Sequence, residues 1–257
     1  MKKTFIIVSL LLVLIACTKQ PQTLDNPLTA ELLVSEQLII GISPDYPPFE
    51  DIDTEGNIIG FDVDLTTQVV NILNKAQGTN LTLVWQSMDF STIVGALQAQ
   101  QIDIGVSGIT YDPDRDVYFS VPYISSQQVV VVNVDSSIST LSDLNGKKIG
   151  VQTRTTGESA AGEITGVKLV SLTDANQLFA QLKTSAIDAV IIDKAVGENY
   201  VKNNAAILLS EPLINEDMSI IIAKNKPHLQ QALDAAITEF MKTDEYQKLL
   251  KKWDIAQ

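Results

Sequence analysis

The sequence holds one cysteine, one histidine and two arginines among its 257 residues. A single cysteine excludes an internal disulfide, and with a single histidine it leaves no Cys/His zinc centre and no Cys–His or Ser–His catalytic pair at the usual spacings. Positive charge is also scarce: 18 basic residues face 31 acidic ones, for a formal charge of −13. Such a surface repels phosphate backbones, and the lysines are scattered rather than striped, which argues against nucleic-acid binding. No apolar run approaches the ~20 residues that a helix needs to cross a bilayer. What the chain does have is 45% hydrophobic residues, enough at this length to bury roughly 75% of the unfolded surface in one large domain or two lobes.

The longest apolar run, Phe5 to Ala16, follows Lys2-Lys3 and ends at the lone Cys17. That is the layout of a secretory signal peptide. Leu14-Ile15-Ala16-Cys17 resembles a bacterial lipobox, which implies that residues 1–16 are removed and that Cys17 becomes the lipidated first residue of the mature chain. The plainer alternative is an ordinary signal peptide with an incidental cysteine. Residues 17–36, polar except for a short amphipathic stretch from Leu28 to Val34, are expected to be a tether holding the folded part at the extracellular face of the cell membrane.

From residue 37 onward, short β-rich runs alternate with helical periodicities, the pattern of α/β layers with mainly parallel sheets. Strands are expected at Leu38–Ile42, Leu81–Trp85, Ile102–Val106, Lys147–Val151, Val167–Ser171 and Ile187–Ile192. Helices are expected after Gly60-Phe61-Asp62, around Ile93 and Leu97, over Gly157–Glu163 and Asp174–Thr184, and twice near the end, Leu229–Met241 and Asp244–Trp253. The stretch from Leu97 to Val106 echoes that from Leu182 to Ile191, and Ile40-Gly41-Ile42 echoes Ile149-Gly150-Val151. Two lobes built from similar β–α units follow from these echoes.

In open parallel sheets ligands sit beyond the carboxyl ends of the strands. Four such loops carry chemistry. After Ile42 comes Ser43-Pro44-Asp45-Tyr46-Pro47-Pro48-Phe49-Glu50, presenting Tyr46. After Val106 comes Ser107-Gly108-Ile109-Thr110 and then Arg115, where glycine admits a close backbone, threonine donates a hydroxyl and arginine can fork onto a carboxylate. After Val151 comes the hydroxyl-rich Gln152-Thr153-Arg154-Thr155-Thr156-Gly157, and Ile192 is followed by Asp193, a carboxylate suited to an ammonium. Together these groups are the complement of an α-amino acid.

Ser43 to Glu50, Gly60-Phe61-Asp62-Val63-Asp64-Leu65, Asp89-Phe90, Gly108-Ile109-Thr110 with Arg115, Phe119-Ser120-Val121-Pro122-Tyr123, and Val151-Gln152 through Gly157 resemble the polar amino acid binding proteins of ATP-driven bacterial importers. The resemblance implies a type II periplasmic-binding fold, α/β, with two lobes joined by two crossover segments near Ser125–Gln128 and Glu211–Asp217. Residues 37–125 and 218–257 would form lobe 1, and residues 126–217 lobe 2. It implies that Arg115, Thr110 and Thr156 hold the ligand carboxylate and that Asp193 and the Gly108 carbonyl take the ammonium. Tyr46 and Phe90 would sandwich the ligand side chain, with Ser43, Ser107 and Gln152 lining its pocket. It further implies a monomer without cofactor or metal that delivers a free amino acid to a permease and its ATPase.

The sequence departs from the family where Ser43 replaces the acid that reads the ligand side chain, and where Thr153-Arg154 replaces a basic residue and glycine. Asp45 and Glu50 are nearby acids that could compensate. Blander roles stand beside these: Arg115 as a surface ion pair with Asp112, Asp114 or Asp116, Asp193 and Thr156 as helix caps, Tyr46 and Phe90 as core. A cyclohexadienyl-type dehydratase shares the fold and would need a carboxylate in the pocket, such as Asp45 or Glu50; a receptor's sensory domain would need a membrane span after the lobes. The expected ligand is polar, with arginine, lysine or histidine ahead of glutamine and acidic ligands last.

Overall fold

The computed structural model describes Leu28, Glu31, Leu32, residues 36–202 and residues 204–255. The expected signal segment and Cys17 lie outside the described residues. Two sheets and a small hairpin organise the chain. The first sheet has the order β4-β1-β5-β13-β6, built from β1 (Gln37–Ile42), β4 (Thr82–Ser87), β5 (Ile104–Gly105), β6 (Tyr118–Phe119) and β13 (Ile221–Ile222). The second has the order β11-β7-β10-β8-β9, from β7 (Ile124–Asn133), β8 (Lys148–Gln152), β9 (Lys168–Leu172), β10 (Ala189–Asp193) and β11 (Ala206–Leu208), with β12 (Ile214–Met218) added on β7. The hairpin pairs β2 (Asp51–Ile52) with β3 (Ile58–Ile59).

The parallel strands foreseen from the sequence form the heart of each sheet, β4-β1-β5 in one and β9-β8-β10 in the other. β7 and β13 run antiparallel to these, and β6, β11 and β12 pair antiparallel with β13 or β7, so both sheets are mixed. Antiparallel neighbours enter because the chain passes between sheets through β7 and returns through β12. These two pair from Gln128 opposite Ile214 to Ile124 opposite Met218. Both stretches expected to be crossovers fall on or beside this ladder.

Helices α1 (Phe61–Gln77), α2 (Phe90–Gln98), α3 (Thr156–Gly162), α4 (Ala175–Lys183), α5 (Lys194–Val201), α6 (Pro227–Phe240) and α7 (Asp244–Lys252) cover the sheets. Apolar residues at helical spacing on α1 (Leu65, Val69, Leu73) and α6 (Leu229, Leu233, Ile237) are fully buried. Each such side chain contributes about 1.5–3 kcal/mol by leaving water. Leu28 and Leu32, inside the expected tether, are also buried in this core. Glu31 accepts the backbone N–H groups of His228 and Leu229 at the start of α6, at 3.0 and 2.9 Å.

The internal echo is structural. Gln100 and Ser185 take left-handed φ values of 57° and 56° just past α2 and α4. Asp103 then bonds the Ile39 N–H at 2.7 Å, and Asp188 the Lys148 N–H at 2.8 Å, each carboxylate holding the edge of the next strand. Gly41 and Gly150 sit where a Cβ would meet Ile102 Cδ1 at 2.6 Å and Ile187 Cδ1 at 2.5 Å. The same unit is therefore used once per sheet, and it aims the carboxyl ends of β1, β5, β8 and β10 at one cleft.

Candidate functional site

The loops at those strand ends meet in a narrow, nearly filled cleft lined by Tyr46, Phe90, Ser107, Gly108, Thr110, Arg115, Gln152, Thr155, Thr156 and Asp193. Nine of the ten candidate ligand-binding residues are thus brought together, from both sheets. Ser43 is the tenth. It is buried outside the lining, where its N–H donates to Ser107 Oγ at 3.0 Å and its hydroxyl to Asp45 Oδ1 at 2.7 Å.

Arg115 is no surface ion pair, since its side chain is only 10% exposed. Its guanidinium lies 5.6 Å from the Phe90 ring centre and donates to the carbonyls of Thr110 (3.4 Å) and, across the cleft, Arg154 (3.1 Å). Asp112 is a looser partner at 3.5 Å from Nε. Burial pulls the guanidinium pKa down, an effect partly offset by Asp112 and Glu216, yet arginine stays charged at any physiological pH.

Asp193 begins α5, but its side chain makes no cap bond to that helix. It accepts instead from Tyr46 Oη at 2.9 Å and from Ser126 Oγ at 2.6 Å. Burial and the nearby Glu216 charge push its pKa up to about 7. Glu216 itself accepts from Gln128 Nε2 at 2.6 Å, while its Oε2 is sealed from solvent with no donor among the described residues. The site thus carries an excess of acid around one cation. Burial and the Asp193 charge also hold the Tyr46 hydroxyl well above its usual range.

Thr155, absent from the residues singled out by sequence, caps α3 by accepting the Glu158 N–H at 3.1 Å. That leaves the capping role to Thr155 and sets Thr156 in the lining. The signal was present as a Thr-Thr pair before a helix, where either residue could cap. Ser126 and Glu216 were missed because their contacts arise only when β7 pairs with β10 and with β12. Arg154 takes φ 65°, a left-handed conformation in which glycine is unstrained, which gives a reason for the glycine usual at this place.

Several bonds close the cleft directly. Besides Tyr46 to Asp193, Asp45 Oδ2 accepts from Gln152 Nε2 at 3.0 Å and from the Ala175 N–H, first residue of α4, at 2.7 Å. Burial raises the Asp45 pKa, opposed by the Ala175 and Ser43 bonds. Neither Asp45 nor Glu50 lines the cavity. Among the described residues no cluster of His, Cys, Asp and Glu is arranged to hold a metal, and no helix is long and apolar enough to cross a membrane.

The sequence profile described as bacterial extracellular solute-binding proteins, family 3, matches residues 38–256. An arginine-binding extracellular protein of Bacillus subtilis is 33% identical over 226 residues, 85% of this chain and 86% of that protein. A crystal structure described as the substrate binding protein of an amino acid ABC transporter superposes with a TM-score of 0.77 at 35% identity, covering 84% of this chain and 98% of the other. An ancestral arginine-binding protein bound to arginine gives a TM-score of 0.79 at 32% identity, with 85% and 98% covered.

Proposed function

We propose that this chain, which belongs to the bacterial extracellular solute-binding proteins of family 3, binds a free L-amino acid between its two lobes and delivers it to the permease of an ATP-driven importer. The carrying observation is the pairing of Arg115 and Asp193 on opposite walls of one small cavity. A forked cation supported by Thr110 and Thr156 suits an α-carboxylate, and Asp193 with the Gly108 carbonyl suits an α-ammonium. Residues 37–125 with 218–257 would act as one body and 126–217 as the other, hinged on β7 and β12. Closure would be driven by contacts made to both lobes at once, a hinge motion about β7 and β12. The protein would act as a monomer, lipid-anchored through Cys17 and without cofactor.

The side chain read best is cationic. Asp193 lines the cleft with Glu216 acting on it from behind, Tyr46 and Phe90 offer ring faces that favour a cation by about 0.5–2 kcal/mol, and relatives include proteins described as binding arginine and histidine. A dehydratase reading would require a carboxylate in the cavity beyond the one that pairs with the ammonium, and Asp45 and Glu50 face elsewhere. Calorimetry against the twenty amino acids tests the assignment. Arginine, lysine or histidine should bind tightest, then glutamine, with glutamate weakest; tightest binding to glutamate or to a large aliphatic amino acid overturns it.

Acid should weaken binding. Only ionised Asp193 pairs with an ammonium, and in the closed cleft its pKa is about 7. The dissociation constant should therefore rise about tenfold per pH unit as pH falls below that value, with a proton released on binding. Asp193→Asn should bind weakly at every pH and lose this slope. A wild-type affinity flat between pH 5 and 8 would contradict the role given to Asp193.

A further inference from the structure

Behind the Ser107–Gly108 turn, outside the cavity lining, Glu50 and Asp62 are both 0% exposed. The start of α1 docks on the loop after β1, with the Phe61 N–H on the Pro48 carbonyl at 2.9 Å and the Asp62 N–H on the Phe49 carbonyl at 3.0 Å. This brings the two acids side by side. Glu50 Oε1 accepts from Ser107 Oγ at 2.9 Å, and Asp62 Oδ2 accepts the Gly108 N–H at 2.8 Å and the Tyr123 hydroxyl at 3.0 Å. The other two oxygens, Glu50 Oε2 and Asp62 Oδ1, are sealed from solvent and receive no N–H or O–H from any other described residue. The two carboxyls act directly on each other. A hydrogen bond between two carboxyls needs a proton, and their neighbours Ser107, Gly108 and Tyr123 already donate elsewhere on the pair.

We propose that Glu50 and Asp62 share one proton, and that this protonated pair is a positioning device that holds the Ser107–Gly108 turn against the ligand. The proposal rests on reading that turn as part of the amino acid site. With the proton in place, one carboxyl donates and three donors from Ser107, Gly108 and Tyr123 are satisfied by the remaining oxygens. Without it, two desolvated negative charges face each other and push apart the elements that carry them. The charges that act on the pair share its sign: Asp45 is the further acid acting on Glu50, and Asp62, Glu50 and Asp193 all hold the Tyr123 hydroxyl above its usual range. Burial first, then the mutual charge, raises Glu50 well above the carboxylate range; burial raises Asp62 to about 6.

The native state therefore binds a proton that the unfolded chain releases above about pH 4. Stability from this pair is complete below that pH and is lost as pH rises toward the raised native value. Glu50→Gln supplies a permanent donor to Asp62 Oδ1 and keeps an acceptor for Ser107, so it imitates the protonated acid at every pH. The ligand-free protein should show the difference: the melting temperature of the variant minus that of the wild type should grow by roughly 3 °C per pH unit from pH 5 upward. Parallel melting profiles overturn the shared proton, whatever the protein binds. In a second measurement with arginine at pH 7, Glu50→Ala should weaken binding roughly tenfold or more, and Glu50→Gln should recover most of that loss. Equal losses would mean that an ionised carboxylate does the holding, and would overturn the proposal. No binding of arginine to the wild type would instead count against the functional reading, leaving the melting test intact.

Discussion

Arg115→Ala should raise the dissociation constant for the amino acid at least thirtyfold. Truncating one partner of a desolvated, hydrogen-bonded charge pair costs about 2–5 kcal/mol, much of it the penalty of leaving the ligand carboxylate unpaired in the closed cleft. The competing effect is structural damage, and it is small here. The partners that the guanidinium gives up are two backbone carbonyls, a long contact to Asp112 and the face of Phe90. The Asp112 contact is long and that carboxylate is 31% exposed, so water takes the place of the guanidinium there. The melting temperature of the ligand-free variant should therefore stay within a few degrees of wild type, while calorimetry reads the lost affinity. Arg115→Lys should fall between, because an ammonium keeps the charge but cannot fork onto both carboxylate oxygens. Unchanged affinity in Arg115→Ala would remove the residue from the site.

The site was legible from the sequence to the extent that strand ends predict it. Parallel β–α units announce themselves through apolar runs such as Leu38–Ile42 and Ile187–Ile192, and the loops that follow them carry Tyr46, Arg115, Gln152 and Asp193, all of which line one cavity. The repeated Ile-Asp at Ile102-Asp103 and Ile187-Asp188 marked a real unit, since both aspartates bond the neighbouring strand. What escaped depends on distant pairing. The antiparallel strands β7 and β12 have no local period that distinguishes them from parallel ones, so Ser126 and Glu216 could not be placed beside Asp193. Asp45 bridges to Ala175, 130 positions away, and no spacing rule reports such a contact. Ser43 illustrates the converse: its loop was identified correctly as facing the cleft, yet its hydroxyl turns back to Asp45. Glu50 and Asp62 were visible as motif residues, but their pairing depends on a backbone approach at Gly60.

Gly60→Ala should both destabilise the protein and weaken binding. Gly60 holds φ 145° and ψ 175°, a region essentially closed to residues with a Cβ. A Cβ there would lie 2.0 Å from the Phe49 carbonyl oxygen, 2.5 Å from its carbon and 2.7 Å from Glu50 Cα. All three are backbone atoms, so no side-chain rotation relieves the clash. The start of α1 must retreat from the loop after β1, stretching the bonds from Phe61 and Asp62 to Pro48 and Phe49. Forbidden backbone and overpacking together cost about 3 kcal/mol or more, roughly 10 °C in melting temperature for a chain of this size. The same retreat separates Asp62 from Glu50 and loosens Gly108, so affinity for arginine should fall roughly tenfold or more. Gly56→Ala is the matched control on the adjoining hairpin: Gly56 also has a positive φ, 87°, but a Cβ there meets nothing within 4 Å. Its cost should stay near 1 kcal/mol, read as a few degrees in melting, with affinity unchanged. If Gly60→Ala shifted melting no more than Gly56→Ala and left binding intact, the close approach at Gly60 would not be what brings Glu50, Asp62 and the ligand turn together.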